Sequence, residues 1–123
     1  MTKAPTIAII DDDETARTGL YFLVTSLGYN ACTFSSATDF LQSAQLHDAS
    51  CVISDVRMPA MTGIELQTHL RTAGHKVPFI FITGVPEEGI RQQAFKDGAI
   101  GFLNKPLDAQ ALLECLKKAV GER

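Results

Sequence analysis

Four places in this chain carry side chains suited to phosphorus chemistry: the acidic run Asp11-Asp12-Asp13, then Asp55, Thr83 and Lys105. Asp11, Asp12 and Asp55 bring three carboxylates against the single ammonium of Lys105. Carboxylates crowded together resist ionisation unless something neutralises them. A hard divalent cation does so, and oxygen ligands with retained waters suit Mg²⁺. Such a cation can hold phosphoryl oxygens while Lys105 neutralises another and Thr83 donates a hydroxyl hydrogen bond. Those are the positioning and charge-stabilising parts that phosphoryl transfer requires. A carboxylate can also be the nucleophile, giving an aspartyl phosphate. Singly, each residue has a plainer reading. A strand-end Asp before a helix is often an N-cap, Thr83 is a β-branched strand residue, and Lys105-Pro106 is a solvated loop. Their coincidence at one sheet edge is what carries the chemistry, and Asp13 alone is assigned a capping or solvated role.

These residues meet only if the intervening elements bring them to one edge. Short apolar runs alternate with segments of helical period. Strands are predicted at Thr6–Ile10, Ala31–Phe34, Cys51–Ser54, Pro78–Ile82 and Ile100–Leu103. The first helix carries Ala16, Leu20, Leu23, Val24 and Leu27 and is capped by Gly28. The second carries Ala37, Phe40, Leu41 and Ala44 behind a Ser36 N-cap. The third opens on a capping box, Thr62-Gly-Ile-Glu65, runs through Leu66 and Leu70, and ends at Gly74. The fourth holds Ile90, Ala94 and Phe95 before Gly98; the fifth starts near Asp108 and carries Leu112, Leu113, Leu116 and Val120. Continuous apolar strands separated by helices predict a doubly wound α/β fold, a parallel sheet covered on both faces with right-handed crossovers. In such sheets ligands bind beyond the carboxyl ends of the strands. Asp11, Asp55, Thr83 and Lys105 all fall at those ends, whereas the second strand ends in Phe34-Ser35 with nothing ionisable.

A length of 123 residues fits one domain, taken as 1–123, with a core that needs no staples. A formal charge of −3 without a basic block argues against direct nucleic-acid binding. Cys32, Cys51 and Cys115 show no CxxC spacing and are expected to be reduced core thiols. The short apolar run before Asp11 is neither a signal peptide nor a membrane span, so a cytoplasmic protein is expected.

The ordered set Asp11-Asp12, Asp55-Val-Arg-Met-Pro-Ala-Met-Thr-Gly63, Thr83-Gly84 and Phe102-Leu-Asn-Lys105-Pro106 resembles the receiver domain of bacterial response regulators across essentially the whole chain. The run after Asp55 is most similar to the nitrogen-fixation (FixJ-like) subgroup. The resemblance implies a five-stranded sheet of order 2-1-3-4-5 flanked by five helices, as in flavodoxin- and CheY-like folds. It implies that Asp55 is the phosphoacceptor, and that Mg²⁺ is bound by Asp12 directly, by Asp11 through water, by Asp55 and by the backbone carbonyl of Arg57. Thr83 and Lys105 would grip the phosphoryl group, with the Lys105-Pro106 bond cis. Phe102 takes the place of the switch aromatic coupled to Thr83, here without a tyrosine hydroxyl. Asn104 stands where related sequences carry an acid, and Arg57 and Val85 flank the site where the family tunes phosphate lifetime. The implied donor is a phosphohistidine on a sensor histidine kinase or histidine phosphotransfer domain. The implied output is a surface of the fourth helix, fifth strand and fifth helix that meets an output domain or partner. A phosphorylation-dependent homodimer through that surface is left open.

Two other readings compete. Asp11-Asp12-Asp13-Glu14-Thr15 fits the DxDxT pattern of haloacid-dehalogenase-type phosphatases, with Asp11 as nucleophile and Asp13 as acid/base. Those enzymes need a further acidic motif after the lysine, and here only Asp108, Glu114 and Glu122 follow. A pseudo-receiver, a binding module that has lost phosphorylation, typically lacks one of the acids or the lysine, all present here.

Overall fold

The computed structural model describes residues 4–121. The outermost residues of the expected 1–123 domain, Glu122 among them, lie outside the described residues. The elements follow one another as β1 (Thr6–Ile10), α1 (Glu14–Ser26), β2 (Asn30–Phe34), α2 (Ala37–Leu41), β3 (Cys51–Asp55), α3 (Gly63–Thr72), β4 (Phe79–Thr83), α4 (Glu88–Lys96), β5 (Gly101–Asn104) and α5 (Ala109–Val120). The five strands form one parallel sheet in the order β2-β1-β3-β4-β5. The alternating, doubly wound architecture expected from the apolar runs is therefore the one observed, in the order implied by the resemblance.

Strand alternation sorts the core into two layers. Ala8, Ile10, Val52, Phe79 and Phe81 face α2, α3 and α4, meeting Phe40, Leu66, Leu70 and Ala94. Ile7, Ile9, Cys51, Ile53, Ile80 and Ile82 face α1 and α5, meeting Leu20, Val24, Leu112 and Leu116. The central strands are buried on both sides, which explains their unbroken apolar runs. The thiols are free, and burial together with nearby Cys115 pushes the Cys51 thiol up to about 12.

Local signals set the helix ends. Asp13 caps α1 by accepting from the Ala16 N–H at 3.1 Å, the capping role assigned to it. Ser36 and Asp108 cap α2 and α5 in the same way. The Thr62–Glu65 capping box is present in both directions, at 2.8 and 3.1 Å. After α3 and α4 the chain reverses through Gly74 and Gly98, whose φ values of 89° and 101° are left-handed.

The second helix is a correction. Its predicted run to Ala44 stops at Leu41, and Ala44–Leu46 forms a separate 3₁₀ turn. The cause is local: the Ser43 hydroxyl turns back to donate to the Phe40 carbonyl at 2.8 Å, competing with helix continuation. Strand bounds differ from expectation by a residue or so, and Asp55 and Thr83 prove to be the last residues of their strands rather than the first beyond them.

At the far edge, β5 starts on Gly101 because α5 crosses directly over it. A methyl group there would lie 2.5 Å from Cys115 Sγ and 3.3 Å from its Cβ. Gly101→Ala is therefore expected to destabilise the fold by about 1–3 kcal/mol, the usual cost of overpacking. Denaturant unfolding should show much of that loss recovered in Gly101→Ala/Cys115→Ala. A double variant as unstable as the single would place the strain elsewhere.

Candidate functional site

The parallel sheet delivers the carboxyl ends of β1, β3, β4 and β5 to one rim. Asp11 follows β1, Asp55 and Thr83 end β3 and β4, and Lys105 follows β5. The register β1·β3 pairs Ile10 with Ser54, and β3·β4 pairs Asp55 with Ile82, so the acids from neighbouring strands rise at similar height.

Oxygen atoms of Asp11, Asp12 and Asp55 lie within 4.8 Å of one another. Asp11 is buried, Asp55 half-buried and Asp12 exposed. Lys105 reaches across from β5, its Nζ 3.2 Å from Asp55 Oδ2 and 3.5 Å from Asp11 Oδ2. One ammonium thus serves two carboxylates, and the third acid has the solvent. Burial raises the Asp11 pKa above the ordinary carboxylate value, against the lowering effects of the Asp13 N–H bond and Lys105. For Lys105, burial pulls downward, but attraction to Asp11 and Asp55 outweighs it and the pKa is raised.

Asp11 Oδ1 accepts from the Asp13 N–H at 2.9 Å, whereas the buried Oδ2 makes no close hydrogen bond and faces the shared Lys105 ammonium at 3.5 Å. A buried carboxylate oxygen that shares one ammonium with a neighbouring acid is costly to ionise. Three carboxylates set close together with one ammonium shared by two of them is the arrangement a hard cation relieves, so the donor set fits a divalent metal ion.

The loops around the acids are held by contacts that residue types alone did not reveal. Arg17 Nη1 donates to the Asp11 carbonyl at 2.8 Å, fixing the turn between β1 and α1. The Ser54 hydroxyl donates to the Asp55 carbonyl at 2.9 Å. Gly63 packs against that same carbonyl so closely that a Cβ would come within 2.4 Å of it. The Arg57 N–H donates to Asp55 Oδ1 at 3.2 Å, and the Arg57 guanidinium forms an ion pair with Glu87. The glycine was part of a quoted motif and is a foreseeable close-approach position. The reach of Arg17 and Arg57 had no local signal.

Thr83 is buried, and its hydroxyl donates to the Val85 carbonyl while accepting from the Val85 N–H, both at 3.1 Å. Phe102 is half-buried two residues before Asn104, the cross-strand partner of Thr83, with its ring 6.3 Å from that of Phe81. The Lys105–Pro106 peptide bond is cis. Asp13, the acid/base of the phosphatase reading, is occupied in capping α1.

Comparison with known proteins agrees with this geometry. Residues 7–117 match the family described as response regulator receiver domain. The chain is similar to the response regulator protein TodT of Pseudomonas putida, 37% identical over 118 residues, covering 96% of this chain and 52% of that protein. It is also similar to the transcriptional regulatory protein FixJ of Azorhizobium caulinodans, 34% identical over 121 residues, covering 98% of this chain and 57% of that one. Among solved structures, the crystal structure of FixJ-N superposes with a TM-score of 0.86 at 31% identity, covering 99% and 98% of the two chains. The chain spans about half the length of the curated relatives it matches. No helix among the described residues is long and apolar enough to cross a membrane.

The raised Asp11 pKa has a definite consequence for stability. A carboxyl that binds its proton more tightly when folded lowers stability as pH rises from its unfolded value, about 3.9, through its folded one. Without metal, Asp11→Asn should flatten that slope. It should also raise the neutral-pH melting temperature, because the amide has no charge to bury. The same variant should lose most of the stabilisation that a divalent cation gives the parent, read by thermal melts with and without metal. A melt unchanged by the substitution would contradict the burial argument.

Proposed function

The chain belongs to the response regulator receiver domain family, and from that premise we propose that Asp55 takes a phosphoryl group from a phosphohistidine with the help of Mg²⁺. The observation that carries this reading is the Lys105 ammonium set across both acids, 3.2 Å from Asp55 Oδ2 and 3.5 Å from the buried Asp11 Oδ2, with the Asp12 carboxylate close by. We take residues 1–123 as one receiver unit, working in the cytoplasm beside a sensor histidine kinase or histidine phosphotransfer domain.

Asp11, Asp12, Asp55 and the backbone carbonyl of Arg57 would hold Mg²⁺. Bound there, it would offset the carboxylates and polarise phosphoryl oxygens toward attack. The chain's own residues do the rest. An Asp55 carboxylate oxygen attacks phosphorus in line, the P–N bond breaks, and the imidazole leaves with the bonding pair. Lys105, already ion-paired to Asp55, neutralises a transferring oxygen. The Thr83 hydroxyl must give up the Val85 carbonyl to donate to the phosphoryl group, so phosphorylation draws Thr83 out of its local turn. That motion opens space for Phe102 to pack inward. The exposed surface of α4, β5 and α5 then changes for an output domain, a partner or a second copy. Water later hydrolyses the acyl phosphate and resets the site. The acyl phosphate adds roughly one negative charge where the carboxylate stood.

The experiment is direct. With Mg²⁺ and acetyl phosphate the chain should gain one phosphoryl mass, mapped to Asp55 by borohydride trapping and peptide mass spectrometry. Asp55→Asn should abolish it. Lys105→Ala should slow labelling by about 10²-fold, the scale of losing one charge-stabilising donor, and should blunt the conformational response of whatever label remains. Full labelling of Asp55→Asn would end the proposal.

A further inference from the structure

The two ends of α4 are held in different ways. Of its nine residues only Ala94 is buried, so packing alone fixes it weakly. Its C-terminal end is clamped by α3: the buried Gln67 side chain donates from Nε2 to the carbonyls of Ala94 and Asp97 at 3.3 and 3.4 Å. Arg71 Nη1 adds an ion pair to Asp97 at 2.9 Å. Its N-terminal end lacks such a clamp. Glu87 occupies the N-cap position, yet its side chain makes no capping hydrogen bond. The Glu87 carboxylate pairs instead with the guanidinium of Arg57, both partners being about half exposed. Arg57 is also the residue whose backbone N–H donates to Asp55.

One residue therefore touches the proposed phosphoacceptor with its backbone and holds the front of α4 with its side chain. We propose that Arg57 exchanges partners, from Glu87 in the resting protein to the phosphoryl oxygens on Asp55, and that Glu87 is the positioning residue through which this exchange frees the first turn of α4. The inference rests on Asp55 being the phosphoacceptor and adds how the event leaves the site. A dianionic phosphoryl group with several acceptor oxygens binds a guanidinium better than one exposed carboxylate does. Once released, Glu87 faces added negative charge and has no capping bond to hold it. The first turn then pivots about the Gln67–Arg71 clamp. A cleft of about 380 Å³ lined by Pro86, Glu87, Glu88, Arg91, Phe102 and Asn104 lies beside that turn and gives both it and the Phe102 ring room to move. Because binding and release are linked, Glu87 must weaken the phosphoryl state by the same factor by which that state weakens the ion pair.

Beryllium fluoride with Mg²⁺, a stable phosphoryl mimic, provides the test at physiological ionic strength, where unpaired distant charges are largely screened. Its affinity is measured by calorimetry, and amide exchange at residues 91–94 by mass spectrometry, for the parent, Glu87→Gln, Arg57→Gln and the double variant. The N–H groups of those residues bond back to the first turn, beginning with Arg91 to the Glu87 carbonyl. Glu87→Gln should tighten the mimic about two- to fivefold, the range of exposed ion pairs. Its first α4 turn should exchange fast before the mimic is added and respond little afterwards, whereas the parent goes from slow to fast. In the Arg57→Gln background, Glu87→Gln should change neither quantity. Additive effects of the two substitutions, or a parent whose α4 exchange ignores a bound mimic, would overturn the exchange while leaving Asp55 as acceptor. Failure of the mimic to bind the parent, or undiminished binding by Asp55→Asn, would overturn the acceptor reading and the exchange with it.

Discussion

A carboxylate with almost no water around it sets the terms for the rest of this molecule. Asp11 sits at the end of a central strand with one oxygen bonded to a backbone N–H and the other facing only a shared ammonium among the described residues, and two more acids stand close by. Among the described residues Lys105 is the one ammonium that reaches the group, and it is shared with Asp55. Ionised, the cluster is under-compensated; protonated, it is useless for holding a cation or attacking phosphorus. The protein tolerates this because a two-layer core surrounds the sheet and can support a costly rim. Three crowded carboxylates with one ammonium shared by two of them would be poor design for stability alone.

Such a cluster works only if its backbone cannot relax away from it, and several contacts serve that end. Arg17 pins the carbonyl of Asp11, the Ser54 hydroxyl holds that of Asp55, and Gly63 lets the start of α3 press against the same carbonyl. The capping box at Thr62 and Glu65 then fixes where α3 begins. The acids are therefore held by neighbouring backbone rather than by each other, which lets them stay close despite their repulsion.

Much of this was legible in the residues. Fully buried parallel strands must be apolar from end to end, so TIAII and FIFIT announce themselves. Capping boxes and left-handed glycines act within a few residues, so helix limits at Thr62, Gly74 and Gly98 could be read locally. The second helix ran too far in the reading because apolar spacing through Ala44 outweighed the tendency of Ser43 to bond its own chain. The ionic site was legible because its members cluster at strand ends, which the alternation itself locates. What escaped were long side chains crossing between loops. That Arg57 meets Glu87, or Arg17 the carbonyl of Asp11, depends on tertiary placement, which carries no short-range pattern.

The contrast between the sheet and α4 explains how so small a chemical event can matter. The proposed phosphoryl charge and partner exchange would amount to little beside the burial of the two cores, and neither could shift β3 or β4. An element with one buried residue is different, because its alternative positions differ by little and a tenfold change in population takes only about 1.4 kcal/mol. Rigid strands keep the reacting groups in register, while the helix beside them is left near balance. The division follows from packing: apolar side chains are concentrated where geometry must not change and withheld from α4, whose exposed face carries Arg91 over Phe95 and charged residues at its first turn. Filling α4 with core residues would steady it, and in doing so would remove the softness on which the proposed response to a phosphoryl group at Asp55 depends.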